Sequence, residues 1–118
     1  MHWKDLDVWR KAHTLVLETY KLVHSFPDEE RFRLANQLCR AVTSVPANIV
    51  EGNSRHSTKE YLQFLFTARG SLEETRYYVL LARDLGYVTQ VEYDRFEAMG
   101  EAVSCKLNAL VRALTRKG

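Results

Sequence analysis

The sequence is poor in residues that staple or bend a chain, with two cysteines, two prolines and five glycines among 118. Cys39 and Cys105 lie far apart on separate apolar-periodic segments, so each reads as a small buried hydrophobe and no structural disulfide is expected. So little glycine and proline argues against a turn-rich β-sandwich, and a hydrophobic content of 46% argues against disorder. No stretch approaches the roughly 18 uninterrupted apolar residues of a membrane span, so no membrane partner is expected. Met1 to Arg10 is charged and lacks the apolar core of a signal peptide, which makes a cytoplasmic location the expectation. Charge of one sign is scarce as well. Seventeen Lys and Arg against fifteen Asp and Glu leave a formal +2, too mild to announce nucleic-acid binding by itself.

Helical periodicity is what the sequence has in abundance. Trp9, Ala12, Val16, Tyr20 and Val23 recur at three- and four-residue steps, predicting a first helix over about 6–24. Pro27 followed by Asp28, Glu29 and Glu30 reads as the start of a second, over about 27–54, with proline at the first position and acids at the positive dipole end. Its seam is Leu34, Leu38, Ala41, Val45 and Asn48, widened by Phe32, Val42 and Ile49. Ser57 and Glu60 form a capping box that opens a third helix over about 58–85, closed by Gly86 as a left-handed cap. Its stripe runs Tyr61, Phe64, Leu65, Ala68, Leu72, Thr75, Val79, Ala82. Thr89 and Glu92 open a fourth over about 90–116, carrying Phe96, Met99, Val103, Leu107, Leu110 and Leu114. Four helices on short connections imply one all-α domain over residues 1–118, an antiparallel up-down-up-down four-helix bundle.

Local rules break in one region. Pro46 lies inside the second helix, where it removes the amide that would bond Val42, so a kink is expected in preference to an end and restart. Asn48 is a polar amide on an apolar seam, one helical step from Glu51, with Gly52 following and Gly70-Ser71 on the third helix opposite. Two readings stay open: a partly buried polar network of Asn48, Glu51 and Ser71 with Gly70 permitting close backbone approach, or an Asn48 that bonds only water.

The string Ser44-Val45-Pro46-Ala47-Asn48-Ile49-Val50-Glu51-Gly52 resembles the S-[IV]-P-A-N-I-[AV]-E-G signature of small bacterial four-helix bundle proteins encoded within intervening sequences of 23S ribosomal RNA genes. Further matches surround it, including Val8-Trp9, Lys11-Ala12, Phe26-Pro27, Gln37, Arg40, Arg55, Ser57, Glu60, Phe64-Leu65, Ala68, Gly70-Ser71-Leu72 and Leu85-Gly86-Tyr87. The resemblance implies a four-helix bundle assembled as a ring-shaped homopentamer. It also implies kinship with accessory proteins of diversity-generating retroelements, which bind nucleic acid and contact a reverse transcriptase. Those relatives are markedly basic, and this chain is not.

Arg69, Arg76 and Arg83 recur every seven residues, and Arg33 and Arg40 repeat the spacing on the second helix. Such stripes suit phosphates, particularly when multiplied by an oligomer, although a solvated face with intersubunit ion pairs is the favoured reading. Tyr61, Tyr77 and Tyr78 are expected to pack rather than stack on bases, and Trp3, Trp9 and Tyr87 to contribute to subunit contacts. Enzyme readings find little support. None of His2, His13, His24 and His56 has the Glu three residues earlier that a di-iron bundle needs, and none has the Arg spacing of helical ribonucleases. Phosphate-loop, dinucleotide, zinc-protease and C-x-x-C motifs are missing, so no catalytic residue, metal or cofactor is expected. The expected function is a non-enzymatic, homo-oligomeric accessory or scaffold bundle associated with RNA or DNA, and the resemblance adds a reverse transcriptase or other protein as an expected partner. The alternative is a protein-interaction module without nucleic-acid affinity.

Overall fold

A computed structural model describes residues 1–117 as four α-helices, with no strand among the described residues. They are α1 (Asp7–Leu22), α2 (Leu34–Asn53), α3 (Thr58–Asp84) and α4 (Gln90–Lys117), with one short 3-10 turn at Trp3–Asp5 ahead of α1 and two, Val23–Ser25 and Asp28–Glu30, between α1 and α2. The later helix ends follow from their caps. Ser57 Oγ accepts from the Glu60 amide at 3.1 Å and donates to the Glu60 carboxylate. Thr89 Oγ1 accepts from the Glu92 amide at 3.1 Å while Glu92 Oε1 accepts from the Thr89 amide at 2.8 Å, a complete reciprocal box. Gly86, at φ +82°, ends α3 by letting the Tyr87 amide turn back to Ala82 O at 2.8 Å.

Contacts along the molecule give the directions of the helices. Asn53 bonds Tyr61, Ser44 bonds Ser71, and Gln37 bonds Tyr78, so α2 and α3 run oppositely. Arg69 meets Asn108 and Arg76 meets Glu97, and the same holds for α3 and α4. Asp7 pairs with Lys106 and Glu18 with Arg95, which sets α1 against α4. The result is a slender body of 46 × 25 × 20 Å. Its core is a column of apolar side chains from all four helices, with Leu15, Leu38, Val42, Ile49, Leu65, Leu72, Val79 and Leu107 fully buried and Phe96 nearly so. Two buried hydroxyls stay satisfied within their helices: Thr19 donates to Leu15 O and Thr75 to Ser71 O.

Several expectations change. The first helix is tighter than 6–24, and its buried face is Val8, Ala12, Leu15, Val16 and Thr19, leaving Tyr20 47% exposed. The second helix begins at Leu34 rather than 27. Asp28–Glu30 form a 3-10 turn, and Glu30 reaches the Leu34 amide at 3.4 Å and accepts from Tyr87 OH at 2.7 Å. Glu30 therefore still faces the positive end of α2, but from outside it. That break turns Phe32 out of the core to 84% exposure. From Leu34 to Asn53, α2 is continuous through the buried Pro46, which excludes an end and restart there. Cys39 is half-buried, and burial raises its thiol pKa, whereas Cys105 is exposed rather than buried; both are free.

Candidate functional site

The signature string lies along the seam between α2 and α3. Asn48 Nδ2 donates to Ser44 O at 2.7 Å and to Ser44 Oγ at 2.9 Å, and Ser71 Oγ donates to the same Ser44 oxygen at 3.0 Å. Ser44, the first residue of the signature, is thus the hinge that joins Asn48 to Ser71. Glu51 stays outside it: its carboxylate is exposed and pairs with Arg55 one turn on, at 3.5 Å. The close approach expected at Gly70 falls at Gly52 instead. A Cβ on Gly52 would come within 2.9 Å of Phe64 Cβ and 3.3 Å of the Tyr61 carbonyl, so the lack of a side chain at Gly52 is what lets the two helices approach there. Gly70 is exposed, with nothing within 4 Å of its would-be Cβ. Beside Ser44 and Ser71 the seam opens into a polar groove of about 480 Å³ whose walls include Gln37, Arg40, Glu74 and Tyr78. Tyr78 OH lies 2.7 Å from Gln37 Oε1 and 3.0 Å from Glu74 Oε2, and the carboxylate raises the pKa of the phenol.

The five arginines do not share a surface. Arg33 stands at the N-cap of α2 and Arg40 borders the polar groove, both exposed, while Arg69, Arg76 and Arg83 face α4 on a different seam. Within that seam their surroundings differ. Arg76 forks onto Glu97, Nε to Oε1 at 3.2 Å and Nη2 to Oε2 at 2.9 Å, and also reaches Glu73 at 3.2 Å and Glu101 at 3.4 Å. The hydrogen bonds to Glu97 are the main reason its pKa is raised, so it stays charged at any pH the protein meets, with its charge already answered. Its stem packs over Gly100, 3.5 Å from where a Cβ would lie. Arg83 pairs with Asp84 at 2.9 Å and covers the Tyr93 ring at 4.5 Å. Arg69 finds only the Asn108 amide oxygen, at 3.2 Å, and lies 5.0 Å from the Phe66 ring centroid.

The contrast extends along the whole hairpin. Residues 73–84 and 90–101 contain three Lys or Arg and seven Asp or Glu; residues 58–72 and 102–117 contain six Lys or Arg and one acid, Glu60, which is bonded to Ser57. In this second half the seam holds a shallow groove of about 430 Å³ lined by Thr58, Lys59, Leu62, Gln63, Phe66 and Thr115. Phe66, Lys59 and Arg112 were not singled out by periodicity as a surface. The signal that could have found them is an absence, since no acid occurs between Glu60 and Glu73 or after Glu101. Among the described residues no three His, Cys, Asp or Glu side chains gather as metal ligands, and no helix is long and apolar enough to cross a membrane.

Comparison with solved structures places the fold beside a crystal structure from Bacteroides thetaiotaomicron, described as a protein of unknown function from the S23 ribosomal protein family. The two align with a TM-score of 0.81 at 23% identity, over 88% of this chain and 97% of the other. No curated protein matches the sequence. The family model described as 23S rRNA-intervening sequence protein matches residues 4–109, which takes in the signature, all of α1 to α3 and the greater part of α4. The chain belongs to the 23S rRNA-intervening sequence protein family.

Proposed function

We propose that this protein is a non-enzymatic accessory bundle that associates with copies of itself, as a ring of five, and attaches to RNA through one end. The observation that carries the reading is the division of charge along the α3–α4 hairpin, six cations against one acid in one half and three against seven in the other. A net charge of +2 conceals that polarity. Repeated around a ring, the cationic halves would form a continuous polyelectrolyte surface whose affinity falls steeply with salt. The family's name, which refers to 23S rRNA, and the neighbour's, which refers to a ribosomal protein family, agree with an RNA target.

Self-association draws its support from the other end of the molecule. Leu17 at 51% exposure, Tyr20, Phe32, Tyr77, Leu85 and Val91 are large apolar side chains left open towards the acidic half, as surfaces awaiting a partner are. Light scattering is expected to give five times the 13.7 kDa protomer mass, and Phe32→Ser with Tyr20→Ser to lower it. Binding of a structured ribosomal RNA fragment, followed by anisotropy at low and high salt, tests the other part. Charge reversal by Arg112→Glu with Arg116→Glu should abolish binding, and Lys21→Glu with Arg31→Glu should leave it. A pentamer that binds no RNA at low salt would favour the protein-interaction module instead.

A further inference from the structure

We infer that the groove between the first half of α3 and the last half of α4 is a binding site for single-stranded RNA, with Phe66 as its stacking platform. This rests on the RNA reading above and goes further, naming the strand and the residues that hold it. Three observations converge. The groove floor is apolar and open, with Leu62 and a Phe66 that is 45% exposed although it lies mid-helix beside a full core. Its rim is cationic and unanswered: Lys59 lines it, Arg69 has only a neutral amide partner, and Arg112 follows one turn after Asn108 on the same face of α4. No acidic partner pairs with any of these three cations among the described residues, whereas Arg76 in the same seam has three.

The Arg69 guanidinium lies over the Phe66 ring, 5.0 Å from its centroid, so an incoming base takes that face by lifting the exposed guanidinium, which is left beside the base and the phosphates. A duplex hides its base faces and could use the rim but not the floor, so the apolar floor selects a single strand. Gln63 and Thr115, which also line the groove, supply neutral donors and acceptors of the kind that engage a ribose 2′-hydroxyl, which argues for RNA over DNA. An acidic peptide would satisfy the rim but would leave the platform without a stacking partner.

The test uses the full-length protein with fluorescein-labelled U15, dU15, a 15-base-pair RNA duplex and an oligoglutamate peptide, measured by anisotropy at two salt concentrations. U15 is expected to bind about tenfold more tightly than the duplex, and Phe66→Leu to remove about that factor while Phe66→Tyr retains it. Lys59→Ala with Arg69→Ala and Arg112→Ala should flatten the salt dependence by about two units of slope. Helical circular dichroism checks that each variant folds. Phe66→Trp adds a direct readout, because a base stacked on it quenches its fluorescence. If RNA binds but duplex equals U15, Phe66→Leu changes nothing and Phe66→Trp is not quenched, this site is overturned and the broader RNA reading stands. If dU15 binds as tightly as U15, the assignment to RNA falls. Tighter binding of oligoglutamate than of U15 makes the groove a protein dock, and absence of all RNA binding at low salt removes the RNA reading together with the site.

Discussion

In one half of the α3–α4 hairpin Arg76 is held by Glu73, Glu97 and Glu101; in the other, Arg69 meets only the amide of Asn108. Both arginines lie on the same helical stripe, seven residues apart, so the stripe alone does not distinguish them. The difference comes from α4, which presents acids early and none after Glu101. One half spends its charges holding two helices together, and the other is held by close packing and, apart from Lys106 paired with Asp7, leaves its cations without an acid. The lesson concerns counting: a charge contributes to recognition only when the fold has not already answered it.

The largest effect should come from the packing that holds the cationic end. At Gly52 a methyl group would meet Phe64 Cβ at 2.9 Å and the Tyr61 backbone oxygen at 3.3 Å, and backbone cannot swing aside. Gly52→Ala is expected to lose about 1–3 kcal/mol as α2 and α3 are pushed apart, even though alanine favours a helix. Urea unfolding measures it, and an unchanged midpoint would show that close approach does not hold this end.

Next comes the ion cluster. Arg76→Met would leave Glu97, only 27% exposed, with Glu73 and Glu101 close to it and no cation between them. A loss of about 1–2 kcal/mol is expected, limited because Glu73 and Glu101 are open to water. Arg69→Met should stay within about 0.5 kcal/mol. Equal losses from the two substitutions would erase the comparison, since both arginines would then be structural.

These contrasts also show how far the sequence could be read. Element number, both capping boxes and the core of α3 were legible, because periodicity and cap chemistry are local and reinforce one another. The start of α2 was not. Pro27 and three acids satisfy every local rule for a helix start, but Tyr87, 57 residues from Glu30, draws that carboxylate into a turn. The site was half legible. Asn48 reads as a polar group out of place and Ser44 as the first residue of the signature, but nothing local makes Ser44 the common partner of Asn48 and Ser71, and Glu51 reads as a partner because it lies one step away. Gly52 and Gly70 could not be told apart, since which glycine meets a neighbouring backbone depends on helix crossing, not on sequence. The arginine stripe was visible, but its neutralisation by α4 was not.

Gly70 offers a smaller effect of opposite sign. Its would-be Cβ meets nothing, so Gly70→Ala should gain about 0.5–1 kcal/mol from helix propensity. The same substitution would then stabilise at one glycine and destabilise at the other, within one seam. If Gly70→Ala also lowered the mass of the assembly, the open surface there would be a contact between copies.

The smallest effect expected is alkaline. Burial raises the pKa of Tyr61, and its hydrogen bond with Asn53, at 3.1 Å, only partly offsets this; the carboxylates of Glu74 and Glu30 raise those of Tyr78 and Tyr87. A raised phenol pKa means that the folded state prefers the protonated form, so its contribution is complete below the ordinary tyrosine value near pH 10 and is lost as pH climbs through the folded value. Thermal midpoints should therefore hold from pH 8 to about pH 10 and fall above it. Arg76, whose own pKa is raised beyond that range, keeps its pairing with Glu73, Glu97 and Glu101 through the same interval. Burial is the leading cause at Tyr61 alone, so a charge there should loosen the half held by packing more than the loss of their carboxylate hydrogen bonds loosens the surroundings of Tyr78 and Tyr87, and hydrogen exchange at pH 10.5 should quicken more in residues 58–65 than in residues 73–80. Tyr61→Phe, which cannot ionise, should abolish that difference in exchange, and exchange that quickens equally in both halves would mean that the two ends are held by the same forces after all.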